Sequence, residues 1–182
     1  TGHVIGSDFC APMIAIAAAR VKNQRPNLSF EVGDAMDLAY ADDSFDICSI
    51  SFGIRNVDDP EKALGEMRRV VRPGGRVVVL EFGQPSGLFG SLYRLYSNTL
   101  LPLAGGIVSG NFKAYDYLNK TAASFPCGEA FVAIMRRAGF ATVTVEPLFG
   151  GVAWLYIGSV EAPDPMQQAS AEGVREAMER SQ

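Results

Sequence analysis

Four polar features stand at the ends of short apolar runs, where side chains are free to do chemistry rather than to pack. Asp8 closes Val4-Ile5-Gly6-Ser7-Asp8, and Asp34 tips the Gly33-Asp34-Ala35 loop behind Leu28-Ser29-Phe30-Glu31-Val32. Ser51 to Asn56 end the run that opens at Phe45, and Glu81 sits near the end of Arg76 to Phe82 (RVVVLEF). An acid ending the second strand of an alternating β/α fold can accept hydrogen bonds from both hydroxyls of a ribose, and one in the next loop can hold an adenine amino group. Together Asp8 and Asp34 favour an adenosine-containing cofactor, although Asp8 also reads as a helix cap and Asp34 as a solvated turn. Glu81 could face a ligand or cap a neighbouring helix. Arg55 pairs with Asp58 or Asp59 in the plainest reading of its neighbours.

These residues need a scaffold that gathers strand ends. Pro12 to Lys22 is alanine-rich and reads as a helix, and Phe45 to Phe52 (FDICSISF) reads as a strand covered on both faces. Asp58-Asp59-Pro60-Glu61 starts a helix, Ala63, Leu64, Met67, Val70 and Val71 fall at helical spacing, and Arg72-Pro73-Gly74-Gly75 stops it. Alternating strands and helices predict a doubly wound parallel sheet whose ligands lie at the carboxyl ends of the strands. A helix over Ala130 to Ala138 then precedes two successive strands, Thr142 to Leu148 and Val152 to Gly158, which end the alternation with a hairpin. Between Phe82 and Phe112 the one charged residue is Arg94, yet Pro85, Pro102 and Gly105-Gly106 break the run. A membrane span needs about 20 apolar residues, so this segment reads instead as an aromatic-rich helix and loop over the sheet. Residues 161–182 read as a polar tail.

The chain has 182 residues, 48% hydrophobic, enough for one domain with a sizeable core. Sixteen Lys+Arg against twenty Asp+Glu, a net charge of −4, argue against nucleic acid as a partner. With one histidine, His3, and with Cys10, Cys48 and Cys127 forming no C-x-x-C pair, a zinc site, a histidine triad and a disulfide scaffold are all disfavoured. No signal-peptide pattern opens the chain, and a reducing, cytoplasmic location is expected.

Longer motifs carry a family resemblance. Glu31 to Leu38 (EVGDAMDL), Asp42 to Asp46 (DDSFD), Glu66 to Arg76 (EMRRVVRPGGR) and Leu80-Glu81-Phe82 resemble the class I S-adenosylmethionine methyltransferases. Ser51 to Val57 (SFGIRNV), Tyr93-x-x-Tyr96, Leu101-Pro102 and Tyr115-x-Tyr117-Leu118 are more specific. They are similar to the ubiquinone/menaquinone biosynthesis C-methyltransferases, the UbiE/MenG family.

The resemblance covers residues 3–159 and implies a Rossmann-like methyltransferase sheet with a C-terminal antiparallel hairpin. S-adenosylmethionine is the implied methyl donor and a polyprenylated benzoquinol or naphthoquinol the acceptor. Asp8 would hold the ribose, Asp34 and Ala35 the adenine, and Ser51 the cofactor near its sulfonium. Arg55 and Asn56 would face the quinol, Arg55 by holding a phenolate or orienting a water that takes its proton. Tyr93, Tyr96, Tyr115 and Tyr117 would wall the substrate pocket, with residues 85 to 118 as a lid opening toward a membrane surface. The resemblance also leaves room for a peripheral contact at the inner membrane face and for a homo-oligomer, and it implies no metal. The family places a strand and a glycine-rich loop ahead of the strand that ends at Asp8. This chain starts beyond that point, so the expectation is a fragment of a longer polypeptide whose sheet lacks its middle strand. Competing readings are a methyltransferase of another small molecule, an NAD-dependent oxidoreductase, and a catalytically incomplete fragment with a binding role.

Overall fold

A computed structural model describes residues 2–21, 25–100 and 121–161. Strand β1 (Val4–Asp8) lies parallel to β2 (Leu28–Val32), with Asp8 opposite Val32, and helix α1 (Ala11–Val21) connects them. Alanine is the best helix former, which suits a segment with so few large side chains. The turn into α1 is held by Asp8, whose Oδ1 accepts the Cys10 amide at 2.8 Å. No side chain of α1 is buried, and Met13 and Ile16 are about half exposed.

The second and larger piece is built on β3 (Phe45–Ser51) and β4 (Val71–Phe82), parallel and joined by helix α2 (Pro60–Arg69). Asp59 caps α2 by accepting the Lys62 amide at 3.0 Å, and Pro60 occupies the first turn, as the sequence predicts. Arg72-Pro73-Gly74-Gly75 does more than stop a helix. Phe45 pairs with Val71 and Ile47 with Arg76, so the four residues form a bulge within β4. Gly74 takes a φ of +84°, and a side chain on Gly75 would strike the Asp46 carbonyl and the Val71 methyl.

Helix α3 (Gly87–Leu95) leads into a wide π turn, Tyr96–Leu100, and helix α4 (Glu129–Arg137) precedes β5 (Thr142–Leu148) and β6 (Ala153–Ser159). The hairpin turns through Phe149–Gly151, and β6 inserts antiparallel between β4 and β5, giving the order β3-β4-β6-β5. The core lies where α2 and α4 cover β4 and β6. Leu64, Met67, Val77, Val79, Phe131, Met135, Phe140 and Tyr156 are buried there. Phe131 touches Phe125 and Tyr156 with ring centroids 5.6 and 4.6 Å apart. The Tyr156 hydroxyl accepts the Gly128 amide at 2.7 Å, and burial pushes its pKa up.

Two expectations need correction. Strand β3 is not covered on both faces: Asp46, Ser49 and Ser51 are exposed and Ile47 is 61% exposed. Among the described residues β3 bonds to β4 alone, and only Phe45, Cys48 and Ile50 of the strand reach the core. Nor does α3 lie across the sheet. It rests on the loop after β4, with Gly90 against Pro85 and Phe89 against Gly150, and it leaves Leu88, Leu92 and Leu95 exposed. Residues 101–112 of that expectation fall outside the described residues.

Among the described residues the β1–α1–β2 unit buries no side chain fully and has no ladder to β3. Local opening free energies run from near zero to the global value, so in the 182-residue chain its amides should exchange on the order of 10²-fold faster than those of Val77 to Val79. Hydrogen exchange read by mass spectrometry checks this, and equal protection of the two regions would refute it.

Candidate active site

The site is assembled at the carboxyl ends of β3 and β4. Phe52 extends the parallel ladder by one bond, its amide donating to the Leu80 carbonyl at 2.8 Å, and then turns sharply with φ +53°. A left-handed phenylalanine costs about 1 kcal/mol, and the next residues recover it by burial. Ile54, fully buried, pins the short turn Ile54–Asn56 into the core, and Phe52 packs on Phe82 with centroids 4.4 Å apart.

Pinned this way, Arg55 points inward, with its side chain only 8% exposed. It pairs with Glu81, Nη1 to Oε1 at 2.7 Å, and not with Asp58 or Asp59. Nη1 also donates to the Phe52 carbonyl, the Arg55 amide donates to Glu81 Oε2 at 3.3 Å, and the Phe82 amide donates to Oε1 at 2.8 Å. The guanidinium carbon stands 5.1 Å over the centre of the Phe82 ring. Arg55 Nε and Trp154 Nε1 are buried donors with no hydrogen-bond partner among the described residues.

Beside Phe82 lies a cavity of about 140 Å³ whose walls include Gly83, Pro85, Tyr93, Arg94 and Ser97. A void of that order accommodates one benzene-sized ring. Burial raises the Tyr93 pKa, and its ring stacks on Phe89 with centroids 6.4 Å apart. Gly83 is required because any side chain there would collide with the Trp154 indole, which is half-buried and stacks on Tyr156. A broader hollow of about 580 Å³ between α2 and α4 is an open depression lined by Asp59, Glu61, Lys62 and Arg137, and it contains none of the site residues.

Asp34 tips a loop whose following residues Ala35, Met36 and Leu38 pack on the core, and its Oδ1 accepts the Met36 amide at 2.8 Å. A clamp on α2 fastens this loop. Arg69 donates to the carbonyls of Leu38 and Tyr40, to Asp42 and to Glu66, and Glu66 accepts the Leu38 amide at 3.0 Å. The Arg69 hydrogen bond holds the Glu66 carboxyl below the ordinary carboxylate range, outweighing the opposing effect of burial and helped by the Leu38 amide and neighbouring positive charge. That contribution is complete above the pKa of an unfolded glutamate and disappears as pH falls through the lowered value.

Phe82 is thus the shared element: Arg55 and Glu81 sit against it, and it lines the cavity together with Tyr93. Asp8 and Ser51 are exposed at the ends of β1 and β3, Asn56 is exposed beside Arg55, and Tyr96 is about half exposed at the start of the π turn. Tyr115 and Tyr117 lie outside the described residues. Cys48, on β3, stays a neutral thiol at physiological pH because burial pushes its pKa up to about 11. The Arg69–Glu66 clamp and the Trp154–Gly83 contact escaped sequence reasoning.

The model of the ubiE/COQ5 methyltransferase family matches residues 1–160. The chain belongs to that family. Its relatives include the ubiquinone/menaquinone biosynthesis C-methyltransferase UbiE of Bdellovibrio bacteriovorus, 52% identical, with 88% of this chain and 69% of the relative covered. The demethylmenaquinone methyltransferase of Thermus thermophilus is 47% identical, with 86% of this chain and 71% of the relative covered. Among solved structures, a SAM-dependent methyltransferase of Thermotoga maritima matches with a TM-score of 0.62 at 24% identity, over 86% of this chain and 72% of that one. Phosphoethanolamine N-methyltransferase 2 of Haemonchus contortus, solved with S-adenosyl-L-methionine, matches with a TM-score of 0.58 at 21% identity, over 80% of this chain and 29% of that one. These two show the fold: the family's sheet is that of the methyltransferases, with its hairpin as expected from the sequence.

Proposed function

We propose that the chain is the S-adenosylmethionine-dependent C-methyltransferase of a polyprenylated quinol. The substrate is demethylmenaquinol, 2-polyprenyl-6-methoxybenzoquinol, or both. Family membership and the names of its relatives support the reaction. The observation that carries the assignment to a site is the immobilised Arg55 over Phe82, a residue that also lines a ring-sized cavity.

The donors and acceptors present fit an adenosine. Asp8 at the end of β1 would take the ribose hydroxyls, Asp34 and Ala35 the adenine, and Ser51 the region of the sulfonium. When bound, the cofactor supplies an electrophilic methyl group. The work of the chain is to make the ring carbon a nucleophile. Loss of the proton from a quinol hydroxyl puts negative charge on the oxygen and raises electron density at the adjacent carbon. Arg55, a guanidinium that keeps its protons, is a poor base but a good hydrogen-bond donor to that oxygen, and Asn56 adds a second donor. Tyr93 lines the cavity for the ring, and Tyr96 would join it from the π turn. With the cofactor bound, its methyl would pass to that carbon and S-adenosylhomocysteine would be left; the methylated carbon would then give its hydrogen as a proton to water, and protonation of the oxygen would complete the aromatic quinol. Fixing the two reactants accounts for roughly 7–11 kcal/mol of the barrier.

The membrane side of this reading rests on α3. Leu88, Phe89, Leu92 and Leu95 are exposed along it, and Phe149 is 84% exposed. Such a rim suits a peripheral contact with a bilayer that holds the prenyl tail. Among the described residues no helix is long and apolar enough to cross one. Residues 1–160 then form the methyltransferase domain and 161–182 an appended tail.

Transfer of labelled methyl from S-adenosylmethionine to a short-chain demethylmenaquinol, with the product identified as ring-methylated, tests the proposal. Calorimetric titration gives the cofactor arm: in the full-length protein Asp8→Ala should weaken S-adenosylmethionine by about 1.5–3 kcal/mol, the scale of charged hydrogen bonds. An unchanged affinity would leave Asp8 only its turn to Cys10. Binding of NAD without any response to S-adenosylmethionine would overturn the function.

A further inference from the structure

Glu81 is 1% exposed and faces the same way along β4 as Val77 and Val79. A carboxylate in that position is stable only when its oxygens are satisfied. Oε1 accepts from Arg55 Nη1 and from the Phe82 amide, at 2.7 and 2.8 Å, and Oε2 accepts from the Arg55 amide at 3.3 Å. Glu81 therefore holds Arg55 by its main chain and its side chain together. The Phe82 ring beneath the guanidinium removes the remaining freedom of tilt.

Two consequences separate this arrangement from an ordinary structural ion pair. The pair is close to neutral as a unit, so Arg55 acts on a ligand through an aimed hydrogen bond more than through a net positive field. And one buried donor, Arg55 Nε, has no partner among the described residues, whereas a purely structural pair would be expected to satisfy it. We propose that Glu81 is a positioning residue that fixes the Arg55 guanidinium so that its Nε–H is held ready for an acceptor oxygen. Naming that oxygen as the quinol's rests on the function proposed above. The locking of Arg55 by Glu81 does not.

The experiment has two arms on the full chain. In ¹⁵N-labelled protein the Arg55 Nε–H resonance, assigned by its loss in Arg55→Ala, should exchange slowly with solvent. Glu81→Gln should speed that exchange at least about tenfold. In the activity arm, with S-adenosylmethionine and a short-chain demethylmenaquinol, Glu81→Gln should lower kcat about 10–100-fold, the scale of a 1 Å misplacement. Its cofactor Kd should stay within about twofold, and in an Arg55→Ala background the same change should cost less than about twofold, because the group it positions is gone. Should Glu81→Gln fail to fold, Glu81→Asp keeps the charge and shortens the reach, and it should raise exchange and lower kcat in the same sense. Unaltered Nε–H exchange, or an equal kcat penalty with and without Arg55, overturns the proposal. If the wild-type chain methylates no quinol, the function falls and the exchange arm alone decides the role of Glu81.

Discussion

Arg55→Ala should lower the turnover of quinol methylation about 100-fold, the cost of removing one donor aimed at developing negative charge. The same change should also destabilise the fold by about 3–5 kcal/mol, because it strands the Glu81 carboxylate in the core. The two losses separate in Arg55→Ala/Glu81→Gln. Neutralising the stranded acid should restore much of the stability and none of the turnover. Arg55→Lys should behave more like alanine than like arginine in turnover: Nη1 alone makes the bonds to Glu81 and the Phe52 carbonyl, but an ammonium has no second nitrogen to offer a ligand and no plane to lay over the Phe82 ring. Single-turnover kinetics with labelled S-adenosylmethionine beside thermal melts give both readings. Near-normal turnover in a folded Arg55→Ala protein would make the arginine structural.

The second large effect belongs to the core. Phe131 is fully buried on α4 and links Phe125 to Tyr156, whose hydroxyl in turn fixes the Gly128 amide at the start of that helix. Phe131→Ala opens a ring-sized void between α4 and β6 and should cost about 3–5 kcal/mol. For a chain of this length that is a fall in Tm of roughly 6–20 °C. A loss below about 1 kcal/mol would mean that α4 does not carry the core.

Local signals were the readable ones. Asp59-Pro60 announced α2, and the apolar periodicity behind it named Ala63, Leu64 and Met67, all buried. The parity of RVVVLEF puts Glu81 on the face of Val77 and Val79, so its burial was legible, and a buried acid demands a partner. The identity of that partner was not legible. Arg55 is 26 residues away, and only the register of β3 against β4 brings it there, past the nearer acids Asp58 and Asp59. The Arg69 clamp escaped for the same reason, its carbonyls lying 29 and 31 residues back along the chain. The exposure of β3 also depended on neighbours: its composition suits a covered strand, but burial is decided by what bonds to each side. Nor could glycine counting show that Gly74 and Gly75 serve a bulge, since the same Pro-Gly-Gly run serves a helix stop equally well.

Trp154 is the chain's one tryptophan, and it stands opposite Glu81 on the paired strand, with its indole against Gly83. All indole emission of these 182 residues therefore originates beside the residues that hold Arg55. A half-buried indole whose nitrogen is buried and has no partner among the described residues emits to the blue of a fully solvated one, and an oxidised quinone, an efficient electron acceptor, quenches it on close approach. The 182 residues carry their own optical gauge: the colour of the fluorescence reports whether the end of β4 is folded, and its brightness on adding an oxidised quinone tests the site proposed there.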